Sequence, residues 1–138
     1  MADTFLLEVA TPARLLIGEA VREVTIPGAS GEVCILPGHA ALLGAVGAGE
    51  LRYTLETGEK NSMVVFGGWV EVNGDIVRVL AASAERLNEI DVARAEAAFQ
   101  RASERVNGIG SGHVDLARAL NAMKRAQARL AAARNGRD

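Results

Sequence analysis

Arginine is the main chemical resource of this chain. Between Leu116 and Arg137 lie Arg118, Lys124, Arg125, Arg129, Arg134 and Arg137, with no acidic residue among them. Arg118 and Arg125 are seven apart and Arg129 is four further on, so the three fall near one face of a helix. Arg94, Arg101 and Arg105 make a similar row upstream. A guanidinium group forks onto carboxylate or phosphate oxygens in pairs. A row without acidic counterparts therefore suits an acidic partner or a bound polyanion. The alternative is an ordinary solvated helical face.

Other chemistry is thinly supplied. The two histidines, His39 and His113, are far apart and have no second ligand at metal spacing. Glu32 and His39 flank a loop as a base and its orienting partner would, or simply as solvated groups at a corner. The glycine clusters lack the Gly-Lys-Ser/Thr ending of a phosphate loop, and none joins a strand to a helix as a dinucleotide site requires. No serine has glycines two positions to either side, so there is no nucleophile elbow. Cys34 stands alone in Val33-Cys34-Ile35-Leu36, which excludes an internal disulfide, suits a reducing compartment and reads as a small core residue. An enzyme in its own right has no supporting constellation.

The elements that would position these groups fall into two units. Residues 1–84 carry five basic and ten acidic side chains, a net of −5, whereas residues 85–138 carry ten basic and seven acidic, a net of +3. In the first unit short apolar runs alternate with turn residues: Phe5 to Val9, Val21 to Ile26, Leu51 to Leu55, Met63 to Phe66, Trp69 to Val72 and Ile76 to Leu80. Pro27-Gly28, Pro37-Gly38 and Gly67-Gly68 punctuate them, and Asn73-Gly74 is a hairpin signal. This pattern predicts an antiparallel β-sandwich or flattened barrel. In the second unit Asn88, with Asp91 three residues on, predicts a helix start, and Ala93, Ala97, Ala98 and Ala102 carry the helix to about Val106. The glycines from Asn107 to Gly112 break it. A second helix is predicted from about Val114 to Arg134, with Leu116, Met123 and Leu130 in one row and Ala119, Ala126 and Ala133 in the other. The fold class expected is α+β, a sandwich followed by an antiparallel helical hairpin.

An alanine seam lets helices approach closely but buries little area. Docking of such a hairpin is expected to be favourable by only about a few kcal/mol after ordering costs, so a partner or ligand can move it. The hydrophobic share of 49% and charged share of 23% place the chain among ordered globular proteins. The longest uncharged run, between Glu32 and Glu50, holds Pro37, His39 and four glycines and is no spanning helix, and no N-terminal export segment is read. A net charge of −2 gives no support to a nucleic-acid binder.

One string is more specific than any of these patterns. Gly31-Glu32-Val33-Cys34-Ile35-Leu36-Pro37-Gly38-His39-Ala40-Ala41-Leu42-Leu43 closely resembles the signature of the epsilon subunit of bacterial F-type ATP synthase. Gly67-Gly68 with Val70-Glu71-Val72, Val79-Leu80-Ala81, Ala84-Glu85 and Ile90-Asp91-Val92-Ala93-Arg94-Ala95 extend the likeness in order along nearly the whole chain. Two positions depart from it: Cys34 stands where glycine is usual and Ala41 where proline is common. The resemblance implies a non-catalytic rotor subunit at the cytoplasmic face of the bacterial inner membrane, reaching the membrane only through its complex. It implies a sandwich bound to the gamma subunit and resting on the c-subunit ring, with Glu32 and the His39 loop at the ring-facing end. It implies a hairpin that lies on the sandwich or extends to the beta (and alpha) subunits, where Arg118, Lys124, Arg125 and Arg129 would meet an acidic segment and block ATP hydrolysis. Some members bind ATP at the hairpin as a regulatory ligand, and Glu85, Asp91, Arg94, Ala95, Arg101, Arg125 and Arg129 match that pattern. No other cofactor, no metal and no nucleic acid is expected. A free-standing ligand-binding module with a helical lid is the competing reading from the residues alone, and co-purification with gamma separates the two.

Overall fold

The structure, a computed structural model, describes residues 3–108 and 115–135. Seven strands come first: β1 (Phe5–Ala10), β2 (Leu15–Gly28), β3 (Gly31–Ile35), β4 (Leu42–Ala45), β5 (Ala48–Leu55), β6 (Lys60–Asn73) and β7 (Ile76–Arg86). A 3-10 turn at Leu87–Glu89 leads to α1 (Val92–Val106) and α2 (Leu116–Asn135). The sheet order is β1-β7-β6-β5-β2-β3, with β4 on β6 and an extra β1–β2 pairing. That extra pairing closes the path, as the flattened-barrel expectation requires. Pairing is antiparallel except between β1 and β7, which run parallel.

Long strands serve both layers. The early part of β2 pairs with β1, and its later part with β3 and β5. Likewise β6 pairs with β5 up to Phe66 and with β4 from Trp69 onward. The apolar runs Met63 to Phe66 and Trp69 to Val72, separate in the sequence reading, are thus one strand. The bend between them is at Gly67 and Gly68, with φ of 72° and 114°. At Gly68 a side chain would collide with the Leu80 carbonyl oxygen, which explains glycine there. The Val46 and Gly47 connection is bonded to the same bend, Val46 N–H to Gly68 O at 2.9 Å and Gly67 N–H to Gly47 O at 3.0 Å.

Alternation along the strands fills the space between layers with Leu7, Val9, Val24, Ile26, Leu51 and Val79, none more than 0% exposed. No charged or polar residue is buried among the described residues. Cys34 corrects an expectation: it is exposed. Ile35 is buried and Val33 half-buried on the inner side of β3, so the residue between them must face outward.

The helices also differ from the sequence reading in detail. The cap of α1 is Asp91, whose Oδ1 accepts from Arg94 N–H at 3.1 Å, and Asn88 lies in the preceding turn. Glu89 instead turns back to accept from Arg86 N–H at 3.2 Å. In α1 the buried residues are Ala95 and Ala102, with Ala98 and Phe99 half-buried, while Ala93 and Ala97 are exposed. In α2, Ala119, Ala126 and Ala132 are buried, and Leu116 is 54% exposed. Most of the break between the helices (Ile109 to Gly112), His113, Val114 and Arg137 lie outside the described residues.

The arm lies on the sandwich, with α2 against β5 and β6. Val64, Phe66 and Ala132 form a second small core with Leu87, Ile90 and Ala128 at its edge. Ala128 and Ala132 are four apart, and they point away from the Ala119–Ala126 face that meets α1. So α2 uses two faces at once. For the same reason Met63, Val64, Val65 and Phe66 are all buried: alternate residues face the sandwich interior and α2.

Candidate functional site

The structure separates Glu32 from His39. Glu32 is the second residue of β3, and its Oε2 accepts from Arg52 Nη2 at 2.9 Å. His39 lies four residues past the end of the strand at Ile35, with its Nδ1 2.7 Å from the Ala40 carbonyl. A carbonyl only accepts, so Nδ1 is the protonated nitrogen. The pair is no base and orienter; each has its own neighbour. Among the described residues no group of three or more His, Cys, Asp or Glu is placed to hold a metal, and no buried side-chain nitrogen or oxygen lacks a partner.

An open groove of about 1060 Å³ runs along the outer face of β2, β5 and β6 beside the end of α2. Glu19, Glu23, Arg52, Lys60 and Arg86 line it, so it mixes both signs of charge. Its half-buried Tyr53 is pushed above the ordinary tyrosine value, first by burial and then by the Glu19 carboxylate. A phenol held neutral in this way is no general base near neutral pH. In the same groove Thr54 Oγ1 donates to Glu23 Oε1 at 3.2 Å, on the exposed surface.

The arginine-rich arm is partly spent. Arg129 Nε donates to the two carboxylate oxygens of Glu85 at 2.9 and 3.1 Å, and its Nη2 lies 2.8 Å from Oε1. The guanidinium also lies over the Phe66 ring, 4.5 Å from its centroid. Of the other residues singled out on the arm, Asp91 is occupied as the α1 cap and Ala95 is buried in the seam. Arg94, Arg101, Arg118, Lys124 and Arg125 are exposed. The structure therefore brings together Glu85 and Arg129 and leaves those five cations facing solvent.

A further surface escapes the sequence reading. Register places Leu15, Ala10, Leu80, Trp69 and Ala45 side by side across β2, β1, β7, β6 and β4. Leu15 is 61%, Leu80 59% and Trp69 58% exposed, and Leu43, one row on, is 71% exposed. That next row alternates charge, Glu8, Arg78, Glu71 and then Leu43, with Arg78 Nε 3.2 Å from Glu8 Oε1. An apolar stripe across five strands with a charged border has the anatomy of a protein interface. The signal was present in Trp69-Val70-Glu71-Val72: with Val70 and Val72 facing inward, Trp69 must face out.

Comparison with known proteins gives consistent results. Residues 4–87 match the family model "ATP synthase, Delta/Epsilon chain, beta-sandwich domain", and residues 88–134 match "ATP synthase, Delta/Epsilon chain, long alpha-helix domain". An ATP synthase epsilon chain of Solibacter usitatus is 51% identical over 133 residues, covering 96% of this chain and 98% of that one. One from Syntrophomonas wolfei is 43% identical, covering 94% of each. Among solved structures, a chain of the Euglena gracilis mitochondrial ATP synthase OSCP/F1/c-ring assembly superposes with a TM-score of 0.85 at 24% identity, over 96% of this chain and 82% of that chain. A chain of the Tetrahymena thermophila central stalk and c-ring gives 0.64 at 17% identity, over 93% and 95%.

Proposed function

Because the chain belongs to the delta/epsilon-chain family of ATP synthase, we propose that it is a non-catalytic central-stalk subunit of a proton-translocating ATP synthase. It couples proton flow to ATP synthesis and, through its helical arm, restrains ATP hydrolysis. The observation that carries this reading is the exposed stripe of Leu15, Leu80 and Trp69, a surface that water alone leaves unsatisfied. Its occupant is the gamma subunit. The sandwich rests on the c-subunit ring through the polar groups of Glu32 and the His39 loop. The complex holds the chain at the cytoplasmic face of the inner membrane; among the described residues no helix is long and apolar enough to cross a membrane.

The arm lies along the sandwich in this structure, and its exposed cations suit an acidic partner once it swings out. That partner is the beta (and alpha) subunits of the catalytic head, met through Arg118, Lys124, Arg125 and Arg129. ATP acts as a regulatory ligand at the arm, drawing on the exposed Arg101 and Arg125 together with Glu85, Asp91, Arg94, Ala95 and Arg129; calorimetry with millimolar MgATP tests this, and the absence of heat removes it. For the main reading the decisive experiment is truncation after Asn88. The shortened chain is expected to assemble with gamma and the c ring while ATPase activity of the complex rises. Lost assembly with unchanged inhibition would overturn the division of labour.

A further inference from the structure

The arm is tied to the sandwich at two places that differ in kind. At its base, Arg86 Nη2 donates to the Leu16 carbonyl at 2.7 Å, and Arg14 Nη2 donates to both oxygens of Glu89 at 3.1 and 2.8 Å. Arg14 is itself set by a tight turn in which Thr11 Oγ1 accepts from Ala13 N–H and Arg14 N–H at 3.2 and 3.3 Å. The turn Leu87–Glu89 therefore belongs mechanically to the sandwich. Beyond it, Ile90 and Asp91 are extended, with φ and ψ of −77° and 121° and of −90° and 100°. The Asp91 side chain faces forward onto Arg94 N–H, so Asp91 travels with α1.

The far tie is the contact of α2. Its apolar part is small, since Ala128 and Ala132 supply little area over Val64 and Phe66. Asn135 Nδ2 donates to Glu50 Oε2 at 2.9 Å on the exposed surface. The less exposed polar tie is Arg129, forked onto Glu85 and stacked on Phe66, with the ion pair only 27% and 28% exposed. We propose that Arg129 is the catch of a hinged arm, that Glu85 and Phe66 are its keeper, and that the pivot is the Ile90–Asp91 junction. This rests on the reading of the arm as mobile and adds where it is held and where it turns. It also divides the basic face. Arg118, Lys124 and Arg125 are open while the arm is docked, whereas Arg129 is open only after release. An acidic partner that takes Arg129 thus competes directly with Glu85, which makes docked and released arms mutually exclusive.

The test uses the full chain with spin labels read as distance distributions. The exposed Cys34 on β3 carries one label; the second is placed in turn at Ala131 on α2, at Glu96 on α1 and at Asn88 in the turn. Glu85→Gln is expected to raise the released population reported from Ala131 about tenfold, because it removes the charge that Arg129 binds. Arg129→Lys, which keeps charge but loses the fork and the ring stacking, gives a smaller rise. In the released population the Glu96 distance changes and the Asn88 distance does not; movement at Asn88 overturns the pivot. A second route to release, Ala132→Glu, forces a large charge into a buried site. If Ala132→Glu releases the arm and Glu85→Gln does not, the catch is wrong while the mobile arm survives. If neither variant yields a released population, the mobile-arm reading fails and the catch fails with it.

Discussion

Glu89 illustrates how much one side chain does at the joint between the two units. Its carboxyl is held below the usual carboxylate range, chiefly by the hydrogen bond from Arg14 and then by the Arg86 backbone N–H. A carboxyl depressed in the folded state stabilises that state above its unfolded value, and the contribution is lost as pH falls through the folded value. Glu89→Gln is therefore expected to lower the melting midpoint at neutral pH by about 2 °C, less in high salt because the pair is half exposed. Calorimetry across pH checks it: the two midpoints should converge in acid. At Cys34 the parity of β3 overrides the apolar company of its neighbours. The native chain should accordingly take up one equivalent of maleimide without denaturant. A thiol that reacts only after unfolding would restore the core assignment.

Strand β6 is the element that joins sandwich to arm. Four consecutive buried residues, Met63 to Phe66, break the alternation seen elsewhere because both sides of the strand are covered. That uninterrupted run was a legible sign of a second layer above β6, and a strand read by itself gives no hint of what supplies that layer. Phe66→Ala removes both ring burial and the surface on which Arg129 stacks. Docking should weaken by about 2 kcal/mol, read as faster amide exchange in α2 with the sandwich midpoint nearly unchanged. Gly68→Ala should behave oppositely. It forces a side chain against the Leu80 carbonyl at a φ of 114°, so the sandwich itself should lose about 3 kcal/mol or more in chemical denaturation.

At the scale of the whole molecule, the apolar stripe lies on the sandwich and the exposed cations lie on the arm, so the two surfaces can be tested separately. Replacing both Trp69 and Leu80 by glutamate should leave the melting midpoint within about 1–2 °C, since these side chains are mostly exposed and support little of the fold. Co-purification with gamma should nevertheless be lost, and retained binding would place the gamma contact elsewhere. Neutralising Arg118, Arg125 and Arg129 together should weaken inhibition of ATP hydrolysis, with a smaller loss at high salt. An equal loss at every ionic strength would argue against an electrostatic arm.

Local patterning alone determined the order of units, the positions of most strands and the row of arginines, because period and turn chemistry are written in neighbouring residues. It did not determine which alanines are buried: Ala93 and Ala97 are exposed, and Ala132 is buried rather than Ala133. The string from Gly31 to Leu43 pointed to the family without any knowledge of contacts. Only the tertiary structure decided that Glu32 pairs with Arg52, that Arg129 pairs with Glu85 across 44 residues, and that Trp69 shares a stripe with Leu15 and Leu80. Those facts depend on register and on which layer covers which strand, and these are set by packing between segments far apart in the chain.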